Sequence, residues 1–443
     1  MHGNFSQLII EAPGASRVLQ QQGRVLLDAD WNAAGAVLLS AQRHLAADLI
    51  GPHGGPASEL GFAVGLADVD GDPDLAIGVG VYYVDGIRVA VAPRPDTEPL
   101  TWRRQPYPPW PDRSEPPALP EPPYLVYLDV WERHVDAVQD DGLREVGLGG
   151  PDTVSVAQIV WQVRAATVDP DLLVGCQKFP VEEWRAGLVG ARPRLRAWAG
   201  RAEEDDDPCL AAPDSGYRGV ENQLYRVEIT DVDGEGAARF LWSRENGSVT
   251  ASWLATDGDR LVVAGMRDRV LGFAPDDWLE LTWDELELAG VPGPRVRVTA
   301  VDGGLVSYAD ASGTVPADPR LLAHPVVRRW DARRRTGTTL HAGALDVVEG
   351  EEESGRVALE DGISVQFLPP VDDAVATRYR VGDYWTIPAR VATGDIVWPR
   401  TRGEPDAVGP QGVEHHYAPL AAVGADGKVT DMRRFFTALA RCR

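Results

Sequence analysis

Near the amino terminus, apolar residues recur at the spacing of one long helix. Between residues 31 and 50 they fall three or four positions apart, which places them on one side of a helix with 3.6 residues per turn. Asp30 is a residue type that caps helix starts, and Gly51-Pro52 is a typical stop. We therefore predict an amphipathic helix over 31–50 that docks one face. The stripe contains Ala34, Val37, Leu38, Ala41, Leu45 and Leu49.

Beyond residue 61 the pattern changes to short strands separated by two-residue turns. Asp-Gly and Asn-Gly pairs favour type I′ turns, because both central residues need a positive φ. Recurrent tight hairpins build antiparallel sheets, so the sequence predicts a mainly β chain of sandwich-like or barrel-like domains with an N-terminal arm and one amphipathic helix. The predicted turns are Asp85-Gly86, Asn246-Gly247, Asp302-Gly303, Asp361-Gly362 and Asp426-Gly427.

Three later segments are apolar on both faces, namely residues 124–134, 158–165 and 223–230. A strand that is apolar on both faces is typical of the middle of a sheet, where both faces are covered. We expect each of these segments to form a central strand. A short helix is predicted over 181–189, and another helical turn over 319–324.

Shifts in composition suggest where the chain divides. Residues 106–123 are rich in proline and residues 203–207 are acidic, which favours surface loops or linkers at both places. We expect an N-terminal arm and helix that act as an attachment element, followed by two β-rich regions, the second with two subdomains. The segments are 1–60, 61–202 and 203–443, the last divided at about 315 into 203–315 and 316–443.

Charge and composition exclude several classes of partner. The chain of 443 residues carries 67 acidic against 43 basic side chains, a net charge of −24, which repels the phosphate backbone of nucleic acids. No apolar run reaches the ~18 residues needed to cross a bilayer, so we expect no membrane insertion. Residues 1–15 lack a basic segment followed by an apolar one, which favours synthesis in the cytoplasm without a signal peptide.

One acidic cluster has the spacing of a calcium loop. Asp68, Asp70, Asp72 and Asp74 alternate around Gly71, and carboxylates at alternate positions of a tight loop supply several of the oxygens that Ca²⁺ requires. The acid that an EF-hand places twelfth is missing, because Val79 stands there. A calcium site and a solvated acidic turn therefore both remain open, and calcium is the only cofactor that the sequence suggests.

Catalytic motifs are not evident in the sequence. It contains neither the G-x-S-x-G elbow of serine hydrolases nor a phosphate-binding P-loop. Carboxylate pairs such as Asp129 with Glu132, or Glu228 with Glu245, are what chance supplies among so many acids. We assign no catalytic residue and expect a non-enzymatic protein.

Aromatic and histidine residues leave alternatives open. Tryptophans beside probable strands are either core residues or platforms that stack sugars, with core packing favoured. The adjacent His415 and His416 should point to opposite faces of an extended segment, which disfavours a shared metal. The tryptophans in question are Trp242, Trp253, Trp278, Trp283, Trp385 and Trp398.

Three long motifs of the chain are specific enough to indicate a family. The first is QQGRVLLDADWN at residues 21–32. The other two are ENQLYRVEI at residues 221–229 and GDYWTIPAR at residues 382–390. With these motifs the chain resembles an uncharacterised bacterial family that is associated with phage-tail-like contractile injection systems. The resemblance spans nearly the whole chain and specifies membership rather than mechanism.

The resemblance implies a structural or accessory part of such a particle: a spike, a fibre, a baseplate-associated protein or a protein of the tube lumen. Its partners would be other particle proteins, sister copies (a trimer for a spike or fibre) or a cell-surface glycan, and the particle would be released from the cell. The alternatives are a carbohydrate-binding or glycan-cleaving protein on the particle, and a lumen cargo effector. The expected attachment residues are Gln21, Gln22, Arg24, Asp28, Asp30, Trp31 and Asn32.

Overall fold

The regular structure of the chain is mainly antiparallel sheet, and one set of strands closes into a barrel, as the turn pattern predicted. In this computed structural model the helices are few and short apart from one of 23 residues. No helix within the described ranges is long and apolar enough to cross a membrane. The structure describes residues 1–6, 14–69, 71–93, 99–170, 175, 178–200, 216–266, 271–332, 339–350, 355–371 and 377–438.

The elements are numbered in chain order. The helices are α1 Asp28–Ile50, α2 Val181–Val189 and α3 Asp284–Ala289, with 3-10 turns at Asp141–Leu143, Val146–Leu148 and Pro319–Leu321. The first strands are β1 His53–Pro56, β2 Val64–Val69, β3 Asp72–Ile77, β4 Gly80–Val84, β5 Ile87–Val91, β6 Leu100–Thr101, β7 Tyr124–Val135, β8 Val156–Thr167 and β9 Arg194–Ala199. The middle strands are β10 Gln223–Val232, β11 Ala238–Ser243, β12 Thr250–Asp257, β13 Arg260–Ala264, β14 Trp278–Thr282, β15 Arg295–Asp302, β16 Leu305–Ser312 and β17 Val326–Trp330. The last strands are β18 Leu345–Asp346, β19 Val357–Ala358, β20 Ile363–Leu368, β21 Tyr384–Arg390, β22 Asp395–Ile396, β23 Arg400–Thr401, β24 Glu404–Pro405, β25 His416–Val423, β26 Val429–Asp431 and β27 Phe435–Phe436.

The chain forms two compact units, each made of stretches that are distant in sequence. The helix unit contains Phe5–Arg133, Gln158–Leu188 and Glu414–Arg443. Its sheets have the strand orders β27-β1-β4-β5, β2-β3-β6 and β26-β25-β7-β8. They enclose a core of aromatic and branched side chains that includes Phe62, Tyr82 and Leu128.

The barrel unit contains Met1–Asn4, His134–Ala157 and Val189–Val413. Six strands form its closed barrel in the order β12-β13-β16-β15-β14-β17, around a core of its own. A second core lies between the sheets β18-β11-β10-β21-β22 and β19-β20-β9, where Trp385 is fully buried.

Strands predicted to be central are only partly so. β7 lies between β25 and β8 and is buried on both faces over most of its length, as expected. β10 lies between β11 and β21. β8 instead ends its sheet, and its apolar residues are covered by the core, into which Trp161 and Val163 pack. An apolar strand therefore indicates that the strand is buried, and not that it lies in the middle of a sheet. A neighbouring sheet can bury a strand as well as a neighbouring strand can.

Four of the five predicted hairpins are present, and one is wrong. The turns at 85–86, 302–303, 361–362 and 426–427 join paired strands. Asn246 and Gly247 have the expected positive φ angles of 52° and 64°, but β11 and β12 belong to different sheets. The buried Asn246 amide donates to the carbonyl of Gly3 at 3.0 Å and accepts from Arg226 at 3.2 Å, so tertiary contacts hold this turn.

The long helix begins earlier than predicted. α1 starts at Asp28, its N-cap residue is Leu27, and no side chain caps it, so the expected capping role of Asp30 is wrong. Asp30 lies inside the first turn, where an acidic side chain still favours the helix dipole. Gly51 ends the helix as predicted, and its N–H donates to the carbonyl of Ala47 at 2.7 Å. α2 matches its prediction, whereas the predicted turn at 319–324 is the shorter Pro319–Leu321.

Candidate attachment site

α1 has two buried alanines and makes two polar contacts with other parts of the helix unit. Ala29 and Ala33 are its buried side chains. Near its C-terminal end the guanidinium of Arg43 donates to both carboxylate oxygens of Glu132, at 2.7 and 3.2 Å. At its start, the carboxylate of Asp28 accepts from the backbone N–H of Ser6 at 2.6 Å, and this bond lowers the pKa of Asp28 below its ordinary value. These contacts fix which side of α1 is covered.

The opposite side of α1 is apolar and exposed. Trp31, Leu38 and Leu45 are 77%, 66% and 61% exposed, and Leu49 is similarly open. These side chains lie about half a helical turn from Ala29, at 100° per residue. We call the exposed set of Leu27, Trp31, Leu38, Leu45 and Leu49 the α1 ridge. The apolar stripe predicted to dock is therefore largely on the solvent side, whereas the buried side chains of α1 are the small Ala29 and Ala33.

The attachment residues expected from the sequence all lie at or before the start of this ridge. The arm before α1 has neither helix nor strand from residue 14 to residue 27. All of these residues are exposed except Asp30, which is half-buried. The structure thus brings Trp31 onto the α1 ridge and leaves the others beside it. The other six attachment residues are Gln21, Gln22, Arg24, Asp28, Asp30 and Asn32.

Trp31 differs from every other tryptophan of the chain. All 14 lie in described ranges; eleven are buried, and Trp198 and Trp283 are half-buried. The six that could have been sugar platforms are thus largely removed from solvent, in agreement with the core packing favoured above. A lone exposed tryptophan on an apolar ridge has the character of a binding residue, since tryptophan dominates interface hot spots.

The sequence reasoning missed Leu38 and Leu45 as site residues, although it placed them on the helical stripe. A signal was present in the sequence. Trp31, Leu38 and Leu45 recur every seven residues, and no charged residue stands between residues 31 and 42. Helices on a protein surface normally carry charged side chains on the exposed face. An uncharged span of three turns therefore indicates a surface that is covered by a binding partner.

Part of the aspartate cluster lies outside the described residues, because Asp70 does. Asp68 accepts from the backbone N–H of Gly71 at 2.9 Å, and Asp72 accepts from Arg103 at 2.8 Å. Asp74 is buried and accepts from the N–H of Leu75 at 2.7 Å. In the described part of the chain, no group of three or more His, Cys, Asp or Glu side chains could hold a metal ion. Calcium binding at this loop stays a prediction.

The two neighbouring histidines point to different partners, as expected. His415 Nδ1 lies 2.7 Å from the buried carboxylate of Asp129, and His416 Nδ1 lies 2.9 Å from Asp85. Arg185 also reaches Asp85, at 3.0 Å. Burial opposes ionisation of Asp85, but the bond from His416 and the charge of Arg185 hold the pKa of this carboxyl below its ordinary value. Both histidines therefore serve as partners of carboxylates within the helix unit.

The carboxylates considered for catalysis are each engaged by an arginine. Asp129 lies 3.1 Å from Arg164, and Glu132 is held by Arg43. In the barrel unit, Glu245 accepts from Arg329 at 3.0 Å. The fourth acid, Glu228, accepts from the buried Arg226 and from His2. Arg328 likewise pairs with a carboxylate of the barrel unit, Glu287, at 3.5 Å.

Comparisons with known proteins identify a family and no relative of known activity. No curated protein and no solved structure matches the chain. One family model covers nearly the whole length, at residues 1–172 and 175–442. The chain belongs to this family, which is described as a family of unknown function, DUF6519.

Proposed function

We propose that the chain is a non-enzymatic structural component of a contractile, phage-tail-like injection particle, to which it is attached by its N-terminal arm and α1. The particle is inferred from the sequence motifs at residues 21–32, 221–229 and 382–390. The attachment role is inferred from one structural observation, the exposed and uncharged α1 ridge.

The energetics of the ridge favour a role in assembly. Burying an exposed leucine side chain stabilises a complex by about 1.5–3 kcal/mol, and a tryptophan contributes at least as much area. Leaving Trp31, Leu38 and Leu45 in water gives up several kcal/mol that any apolar partner would recover. α1 also keeps the ridge accessible, because the opposite side of the helix makes the contact with the helix unit.

Electrostatics point to a protein partner. The net charge of −24 disfavours anionic surfaces, whereas the ridge has no charged residue between positions 31 and 42. A patch of this kind, bordered by polar residues, is typical of a protein–protein interface. The arginine-bound carboxylates described above have structural partners, which supports a non-enzymatic role.

Incorporation into purified particles tests the proposal. Cells that make the particle would carry, in place of the natural chain, the variant Leu38→Glu, and the copies per particle would be counted by quantitative mass spectrometry. We expect a strong loss of incorporation with normal folding, since the side chain of Leu38 is 66% exposed. The matched control is Leu321→Glu, which makes the same change at another exposed leucine, 85% exposed, in the barrel unit.

Two outcomes would count against the proposal. If Leu38→Glu is incorporated at the normal copy number, the α1 ridge is not the attachment site. If the natural chain is absent from purified particles, the role in the particle is wrong whatever the ridge does.

A further inference from the structure

We infer that the α1 ridge pairs with the same ridge of a second copy of this chain, in an antiparallel helix pair. The inference rests on the proposed function, because it names the partner that first covers the attachment surface. Four properties of the α1 ridge support this pairing: the spacing of its residues, their sizes, their exposed area and their charge.

The spacing is that of a helix that shares a seam with another helix. Leu27, Trp31, Ala34, Leu38, Ala41 and Leu45 follow one another at intervals of four, three, four, three and four. This is the heptad repeat, which keeps apolar side chains facing a partner helix while drifting by only ~20° per seven residues. Trp31, Leu38 and Leu45 occupy one heptad position, and Ala34 and Ala41 occupy the other.

The sizes along the seam decide its direction. In a parallel pair, equivalent positions face each other. Ala34 would then face Ala34 of the second copy and leave a gap, whereas Trp31 would face Trp31 and be crowded. In an antiparallel pair the two heptad positions face each other, so that Trp31 meets the second copy's Ala41 and Leu38 meets its Ala34. Large side chains then oppose small ones in successive layers, which is how packed helices fill space. Antiparallel helices also place opposite dipole ends side by side.

The exposed area is close to what a specific dimer requires. With roughly 100 Å² of apolar surface for a leucine side chain and about 200 Å² for tryptophan, the exposed fractions of the ridge give about 400 Å² per copy. Two copies would bury about 800 Å² from the ridge alone, and Val25 and Leu26 of the arm, 82% and 70% exposed, lie next to it. Specific interfaces begin at about 1,000–1,200 Å² in total.

Charge and position permit a second copy. No charged residue lies between residues 31 and 42, so the seam brings no like charges together although each copy carries −24 overall. The body of the helix unit lies on the Ala29 side of α1, opposite the ridge, so it does not cover the seam. A two-fold pair of identical surfaces is also the commonest symmetric assembly of soluble proteins.

A size exchange across the seam tests the inference. Light scattering after size exclusion, over a wide range of protein concentration, should give twice the 48.0 kDa chain mass for the natural protein. Ala41→Trp should give a monomer, because a second tryptophan would collide with Trp31 of the other copy. Trp31→Ala combined with Ala41→Trp exchanges large for small in each layer and should restore the dimer.

Control variants show whether a loss of pairing is specific to the α1 ridge and whether each variant still folds. Leu38→Glu should be monomeric, while Leu38→Met and Leu321→Glu should remain dimeric, and circular dichroism would confirm that every variant keeps the natural spectrum. Association should also strengthen at higher salt, because salt screens the repulsion between two acidic copies. A natural chain that is monomeric at every concentration would overturn the inference, as would a double variant that stays monomeric.

The outcome for this inference is distinguishable from that for the proposed function. A monomeric natural chain whose Leu38→Glu variant is lost from particles would leave the ridge as an attachment site for another particle protein, and would remove only the second copy as its occupant. A dimer that Leu38→Glu disrupts, together with normal incorporation of that variant, would support the pairing and remove the attachment role.

Discussion

Acidification should destabilise the helix unit through one buried histidine. The side chain of His53 is 1% exposed, and its Nδ1 lies 2.9 Å from the hydroxyl of Tyr82, which itself accepts from the backbone N–H of Arg434 at 3.0 Å. Burial, assisted by the charges of Arg434 and Arg185, lowers the pKa of His53 to about 3. The folded imidazole therefore stays neutral at pH values where the unfolded one is protonated.

The magnitude follows from the two proton affinities. The unfolded imidazole titrates near pH 6.5, so as the pH falls from about 7 to about 5 the unfolded state takes up a proton that the folded state does not. This uptake lowers the free energy of unfolding by about 2 kcal/mol over that interval. The contribution of His53 is thus fully present above its unfolded pKa and is lost progressively below it.

Urea unfolding at the two pH values measures the effect. His53→Gln cannot take up the proton, so the natural chain should lose about 2 kcal/mol more than this variant between pH 7 and pH 5. Hydrogen exchange of β4 and β5 amides would assign the transition to the helix unit, since the two units need not unfold together. Tyr82→Phe is the matched control: it removes the hydroxyl bonded to His53, keeps the buried imidazole, and should keep most of the pH dependence. Equal pH dependence in the natural chain and in His53→Gln would refute the reasoning.

The remaining predictions concern the ridge and the contact beneath it. Trp385→Ala should lower the free energy of unfolding of the barrel unit by about 3–5 kcal/mol, because it empties a buried site. Trp31→Ala, measured in the monomeric Leu38→Glu background so that pairing of two copies does not contribute, should change the free energy of unfolding by less than about 0.5 kcal/mol. Similar losses for both changes, measured by urea unfolding, would contradict the assignment of Trp31 to an open surface. Gly86→Ala should destabilise the helix unit by about 1–3 kcal/mol and increase hydrogen exchange in α1, because Gly86 has a φ of +78° and a Cβ there would collide with the carbonyl oxygen of Arg43. Gly65→Ala is its control, with open space around the added carbon, and a loss as large as that of Gly86→Ala would show that the collision is not the cause.

Local chemistry in the sequence was sufficient for the turns and for the fold class. Asp85-Gly86 and Asp361-Gly362 form hairpins because a type I′ turn is decided by which residues tolerate a positive φ, a property of two adjacent positions. The same chemistry gave the correct backbone angles at Asn246-Gly247 and the wrong pairing. Strand partners there are chosen by long-range contacts, including those of Arg226 and Gly3 with Asn246, which no local pattern contains.

The sequence by itself determined that the chain is mainly β, that a helix ends at Gly51, and that apolar residues follow one stripe of that helix. Only the tertiary structure decided which side of the helix is covered. Periodicity in the sequence shows that an apolar stripe exists. Whether the stripe is covered depends on which other segments of the folded chain pack against the helix. Here Arg43 lies close to Gly86 of the β4–β5 turn and pairs with Glu132, the buried side chains of α1 are the small Ala29 and Ala33, and the larger Trp31 and Leu38 are left in solvent. The exposed ridge is therefore a property of the folded chain, and it is the feature on which its proposed role depends.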